Sequence, residues 1–282
     1  AIDGDKAYVI SGSGEIVCLD IKDGKIVWKV DGGNIYGRKT GNWGTSECPL
    51  VYDDKVIYTP AGDQTTMVAL NKDTILISYK GKRQIIGSTA KHVIGVNPDN
   101  GTVEWSFADW GPKEGKWANI APNTPLYKDG KIFFCHGYNI NGVMLQLSDD
   151  LKSVSVVWRT DVLDTHHGGY VEVNGTIYGS NWINNNQGNW CAIDWNTGAK
   201  GYETTWTGGK GKGSIIAADG MLYCYDERRG AVALVNPDPA KFDIVSEFRI
   251  TKGVGPHWAH PVIVNGVLYI RHGFALMAYK VK

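Results

Sequence analysis

The sequence has no excess of either charge: 29 Lys and Arg are balanced by 29 Asp and Glu over 282 residues. Nucleic-acid binders that work through bulk charge are strongly basic, so that class is disfavoured. No run approaches the ~18 consecutive apolar residues of a membrane-spanning helix, and no membrane span is expected in this chain. None of the five cysteines (Cys18, Cys48, Cys135, Cys191 and Cys224) lies in a CxxC pattern or beside another. That argues against a zinc ribbon or a redox dithiol. Four of them sit in apolar, strand-like runs (EIVCLD, IFFCHG, NWCAID, MLYCYD) and read as small core residues. The odd count suggests no disulfide framework, and it does not argue against a periplasmic home. HExxH, GxSxG and P-loop patterns are absent, and helical periodicity is nearly so. Ala1 is not an initiator methionine, the sequence contains no signal peptide, and it opens inside a repeating pattern. An upstream segment, removed or outside this sequence, is therefore expected.

What the chain does have is glycine and aromatic residues: 36 Gly, 11 Trp and 14 Tyr, with 43% of residues apolar. That is enough to build a core, and it suits many short strands joined by tight turns. One pattern recurs: an apolar start, a tight turn, an aromatic-rich strand, an apolar strand ending near Asp, then a Gly turn and a strand with Trp. The clearest copies run from Ala1 to Val30 and from Ile75 to Phe107. Looser copies begin near Cys48, Pro122, His167, Gly213 and His260. Seven starts, most of them roughly 40 residues apart, match the span of a four-stranded propeller blade.

The turns agree. Asp129-Gly130, Asn174-Gly175, Asp219-Gly220 and Asn265-Gly266 each join two apolar runs. Asx-Gly pairs accept positive φ and favour two-residue hairpins. Trp28, Trp105 and Trp158 recur at the ends of repeats, with Trp206 read as their equivalent; rings there can pack between blades. The expected architecture is all-β: one β-propeller of four-stranded antiparallel blades over residues 1–282, seven repeats visible and eight blades in the intact protein.

The unit A-x-x-G-x-Y … G-x-(I/V)-x-x-(L/V)-(D/N) … (T/D/N)-G-x-(I/V)-x-W resembles the repeat of the pyrroloquinoline-quinone (PQQ)-type β-propellers. That superfamily includes quinoprotein alcohol dehydrogenases and non-enzymatic propellers such as the lipoprotein of the outer-membrane β-barrel assembly machine. NWGTSECPL, HHGGYVEV, GKGSIIAADGMLYC and HWAHPVIVNGVLYI look like blade starts of exported bacterial members of uncharacterised type. The likeness covers essentially the whole chain and implies a periplasmic or secreted location. Two departures are notable. One repeat is missing before Ala1 against the family's eight. The repeat from Cys48 also jumps from Thr74 to Ile75 without its Trp strand: either an outer strand has been lost or, the favoured reading, roughly 20 residues are missing between 74 and 75. The final repeat ends without a Trp strand, which a piece from the other terminus would supply.

In a propeller, the loops entering the innermost strands form one rim. Polar residues at repeat starts therefore converge, although they are far apart in sequence. The candidates are Trp43, Ser46, Glu47, Asn119, His166, His167, Lys212, Ser214, Trp258 and His260, with His257 beside them. A shared ligand site in the central funnel is the leading reading. Several chemistries remain open. Glu47, His167 and His260 suit a metal ion. A His beside a carboxylate suits general acid–base work. Lys212 suits an anionic group or a sugar oxygen, and its loss is expected to affect binding more than stability. Equally, the groups could hydrogen-bond one another across a wet channel. Elsewhere, Arg228-Arg229 reads as a solvated turn, and the polar loop Asn181 to Asn189 as an extended hairpin or a sugar-binding surface.

Cofactor-dependent relatives carry a vicinal disulfide, a Trp under the quinone and a calcium site. This chain has no adjacent Cys pair and no evident acidic partner for calcium, so PQQ with calcium is not expected. The expected function is an exported binding or scaffold module, monomeric, engaging a small polar ligand, a glycan or a protein at the funnel rim. The alternative is a PQQ-dependent or metal/His-assisted oxidoreductase, or a carbohydrate-active enzyme.

Overall fold

A computed structural model describes residues 1–35, 49–52, 55–58, 75–89, 91–111 and 122–281. They form β-sheets almost throughout; the single helical element is one turn, Gly32–Ile35. Five sheets have four antiparallel strands, one has three, and one is a two-stranded hairpin. In every sheet the strands lie side by side in chain order, as in a propeller blade. Each sheet among the described residues falls within one of the sequence repeats. The repeat that starts at Cys48 is represented by the hairpin Leu50–Tyr52 and Lys55–Ile57. The last repeat is the three-stranded sheet Val262–Val264, Val267–His272 and Ala275–Lys280. No eighth sheet lies among the described residues, and the Thr74–Ile75 junction falls outside them.

The strands divide into two compact units, Ala1–Phe107 with Asp149–Ser153, and Ala108–Ser148 with Val154–Lys282. In the first, Ile16 and Tyr58 pack with Val56 and Ile57, while Ile85, Ile94 and Val96 take Leu50 and Ile57 on their other side. In the second, apolar clusters join each sheet to the next. Phe133, Cys135 and Met144 meet Tyr170, Ile177 and Cys191. Tyr178, Trp190 and Ala192 meet Leu222, Cys224 and Ala233. Tyr225 and Val232 meet Leu268 and Ile270. Buried area of this kind is the main favourable term holding successive blades together.

Local geometry follows the turn chemistry. Asp129, Asn174, Asp219 and Asn265 have φ near +50°, each followed by a Gly of positive φ, the paired left-handed conformation that Asx-Gly hairpins need. A β-bulge recurs in the pairing of the third and fourth strands of all five four-stranded sheets. Trp28, Trp105 and Trp158 stand at this bulge, opposite Cys18, Gly95 and Met144. A Cβ on Gly95 would lie 2.2 Å from the Trp105 indole, so only glycine admits the ring. In the sheet containing Trp190, the equivalent position is Tyr202, opposite Ala192. Trp206 is therefore not the repeat Trp. It follows the strand end, is 1% exposed and donates its indole N–H to Glu247 at 2.9 Å. Trp105 is buried, whereas Trp28 is 39% exposed.

Candidate functional site

In a sheet whose strands run up and down in order, the start of the first strand lies at the same end as the turn after the second. The register bears this out: Gly213 pairs with Asp226, and Tyr170 with Gly179. Groups just before a first strand therefore meet groups in the second turn, both of their own sheet and of the neighbouring one. In the second unit this brings together His166, His167, Lys212, Trp258 and His260 from repeat starts with Tyr138, Trp182 and Glu227 from second turns.

Lys212 is the anchor. Its side chain is 2% exposed. Its ammonium ion-pairs with the Glu227 carboxylate through Oε1. It also donates to the backbone carbonyls of Asn185 at 2.8 Å and Asn184 at 3.3 Å. The loop can lie this close because residue 188 is glycine: a Cβ there would fall 2.0 Å from the Asn181 carbonyl oxygen and 2.7 Å from Lys212 Cβ. A lysine this buried survives only with its donors used, which shifts its expected role from ligand capture to holding the site together.

Glu227 is 92% buried at its side chain by the same measure, with 8% exposed, and its second oxygen lies 3.0 Å from His167 Nε2. Burial alone would push this carboxyl up, but the facing His167 and Lys212 outweigh it and hold it below its ordinary value. The His167 ring lies beside His166, with centroids 4.5 Å apart, and edge-on to Trp258 at 5.5 Å. His166 Nε2 lies 2.8 Å from the Tyr138 hydroxyl. Burial, then the proximity of His167 and Lys212, push His166 down to about 3, so it is neutral at ordinary pH. His260 Nε2 donates to the His167 carbonyl oxygen at 2.9 Å. Trp258 is 51% exposed and forms the open face of the cluster.

The structure thus brings together His166, His167, Lys212, Trp258 and His260. Ser214 is nearby in sequence but buried in its strand, with no hydrogen bond at its hydroxyl. Trp43, Ser46, Glu47 and Asn119 lie outside the described residues. Of the trio Glu47, His167 and His260, the His260 ring meets the backbone of His167 rather than its imidazole. The carboxylate at His167 is Glu227. His257 belongs to a different cluster: it is buried, lies 2.5 Å from the Tyr225 hydroxyl through Nδ1, and stacks on His272 at 3.7 Å. Both ring nitrogens of His272 face backbone carbonyls, at 2.8 and 2.7 Å.

Glu227 and Tyr138 lie outside the repeat starts that the sequence pattern singles out. Both stand in the turn after a second strand (YDERRG and HGYNIN), the segment that topology returns to the same end. The Arg228-Arg229 turn is built as expected, with both backbone N–H groups donating to Asp226. Cys18, Cys135, Cys191 and Cys224 are buried free thiols on separate strands.

Antiparallel sheets with their strands in chain order, packed one on the next within each unit, are the blades of a PQQ-like β-propeller. The family described as outer membrane protein assembly factor BamB matches residues 1–238, and the chain belongs to it. Among solved structures, BamB from Moraxella catarrhalis is similar over 98% of this chain and 70% of its own, at 18% identity and a TM-score of 0.56. The dihydro-heme d1 dehydrogenase NirN is similar over 99% of this chain and 62% of its own, at 14% identity and a TM-score of 0.59. At such identities the likeness is one of fold. No curated protein matches the chain. No helix among the described residues is long and apolar enough to cross a membrane.

Proposed function

We propose that the chain is a binding or scaffold module of the bacterial cell envelope, periplasmic or secreted. Its ligand sits on the surface made by His167, Trp182, Trp258 and His260. The observation that carries this reading is a rigid ionic base under an open aromatic face: Lys212, Glu227 and His167 are locked by buried contacts, while the Trp258 indole beside them is half exposed. Exposed indole next to fixed polar groups suits a glycan, whose C–H faces lie on the ring while its hydroxyls meet amides and imidazoles. Trp182 supports the same chemistry, its indole N–H lying 3.3 Å from the Asn185 side-chain oxygen. A protein partner is the other occupant in this reading, and the family's description as an outer membrane assembly factor supports it, as it does the envelope location. Eight blades in the intact protein and a monomeric state are part of the same proposal.

The test is titration of the purified protein with neutral oligosaccharides and with hydrophilic peptides, followed by calorimetry. Saturable binding that falls at least tenfold in Trp258→Ala, at unchanged melting temperature, is the expected result. Absence of saturable binding by either class, or binding indifferent to Trp258→Ala, overturns the placement of the ligand.

A further inference from the structure

We propose that His166, His167 and Glu227 bind a divalent first-row transition metal ion. The proposal deepens the reading above by assigning an inorganic ligand to the base of the same site. Its test uses metal alone, so it can fail or succeed without any glycan or partner.

Three observations carry it. First, one ligand atom from each of the three residues falls within 4.8 Å of the others. Second, the three residues have buried polar atoms that make no hydrogen bond: His166 Nδ1, His167 Nε2 and Glu227 Oε2. Buried polar atoms are satisfied in the great majority of cases; here His166 Nδ1 has no partner, and His167 Nε2 and Glu227 Oε2 have only each other, as a facing pair. The last two face each other at 3.0 Å without hydrogen-bond alignment. That separation is close to the roughly 3–3.4 Å between two ligands that each sit about 2.0–2.1 Å from one ion. Third, the opposite ends of the same side chains are tied down. His166 Nε2 meets the Tyr138 hydroxyl at 2.8 Å, and Glu227 Oε1 holds the Lys212 ammonium. Outer hydrogen bonds of this kind fix the orientation and tautomer of metal ligands.

The backbone supports the same placement. Gly168, next to His167, lies so near the strand that follows Lys212 that a Cβ would fall 1.8 Å from the Gly213 carbonyl oxygen. The two imidazoles are thereby pressed onto the turn that carries Glu227. Two imidazoles and one carboxylate form a donor set suited to zinc and its neighbours, with further coordination positions left for a small ligand. Lys212 offsets part of the carboxylate charge, which favours moderate affinity and exchange over permanent retention.

Chelator-stripped protein titrated with Zn²⁺ by calorimetry, and with Co²⁺ by visible absorption, tests the assignment. One equivalent of Zn²⁺ with low-micromolar or tighter affinity, and a Co²⁺ spectrum of low coordination number, are expected. His166→Gln and His167→Gln should abolish both signals, and His92→Gln should leave them unchanged. Tyr138→Phe deletes one hydroxyl and should weaken Zn²⁺ binding by about 10–100-fold, the usual cost of losing an outer partner. Tyr138 is not itself a ligand in this assignment, so this arm still decides if a histidine variant does not fold. No stoichiometric uptake by the wild type, or uptake unaffected by Tyr138→Phe and by whichever histidine variants fold, would overturn the assignment and leave a purely hydrogen-bonded, hydrated cluster.

Discussion

Replacing Lys212 with Met keeps most of the side-chain volume but removes the ammonium that faces Glu227 Oε1. The carbonyls of Asn184 and Asn185 lose their donor at the same time. Breaking a buried ion pair by removing one partner costs about 3–5 kcal/mol, because the remaining charge stays in a poorly solvated place. The loss should depend on pH in a way that a simple packing defect would not. In the wild type, the Glu227 carboxyl is held below its ordinary value, so its contribution is present above about pH 4.5 and disappears as pH falls through the folded-state value. In Lys212→Met, burial is opposed only by His167, and the carboxyl should rise above its unfolded value. The variant then loses stability as pH increases through that raised value, and its deficit against wild type widens from pH 4.5 to pH 7. Lys212→Met/Glu227→Gln should recover to within about 1 kcal/mol of wild type, since a neutral pair avoids the stranded charge. The assay is urea unfolding in a chelating buffer, followed by the fluorescence of buried Trp190 and Trp206. A loss under about 1 kcal/mol that is flat between pH 5 and pH 8 would refute the argument that Lys212 and Glu227 depend on each other.

Three further outcomes follow from the geometry. Trp105→Ala should cost about 3–5 kcal/mol, because the ring is 6% exposed and its N–H is spent on Gln84 at 2.8 Å; Trp28→Ala, at 39% exposure, should cost markedly less by urea midpoint. Gly168→Ala should lower the melting temperature and weaken Zn²⁺ uptake together, since the added methyl cannot fit against Gly213; an unchanged melt would show that the contact yields freely. His257 is pushed down to about 4 by burial and then by His272, below the unfolded value of about 6.5. A group lowered in this way stabilises the fold above its unfolded pKa, so stability should fall as pH drops from about 6.5 to 4, by up to ~1.4 kcal/mol per pH unit from this group; His166, lowered to about 3, adds to the same limb, so His257→Gln should make the urea midpoint–pH curve shallower there without abolishing its slope.

The architecture could be read from the residues because a blade is made of local signals. Asp129-Gly130, Asn174-Gly175, Asp219-Gly220 and Asn265-Gly266 announce hairpins, and each adopts the expected left-handed pair. The Trp at a repeat end also marked a real position, the outer bulge. The Trp206 assignment failed because proximity in sequence stood in for register: Tyr202 occupies the bulge, and Trp206 lies beyond it. The site was legible by halves. His166, His167, Lys212, Trp258 and His260 do meet, as residues placed at repeat starts should. Their partners Glu227 and Tyr138 carry no motif, and only the alternation of strand direction brings their turns back to that end. Whether Lys212 faces outward or inward was beyond reach of the sequence pattern, because it depends on how closely Gly188 lets a neighbouring loop approach.

Every sheet pairs strands that are consecutive along the chain. Most of the hydrogen bonds in a blade therefore close short loops, at small entropic cost. Each blade can zip up as soon as its own segment is available, then dock on the one before it, so that assembly can keep pace with synthesis from one end to the other. The aromatic rim gathers last, because its members wait for neighbouring blades to dock.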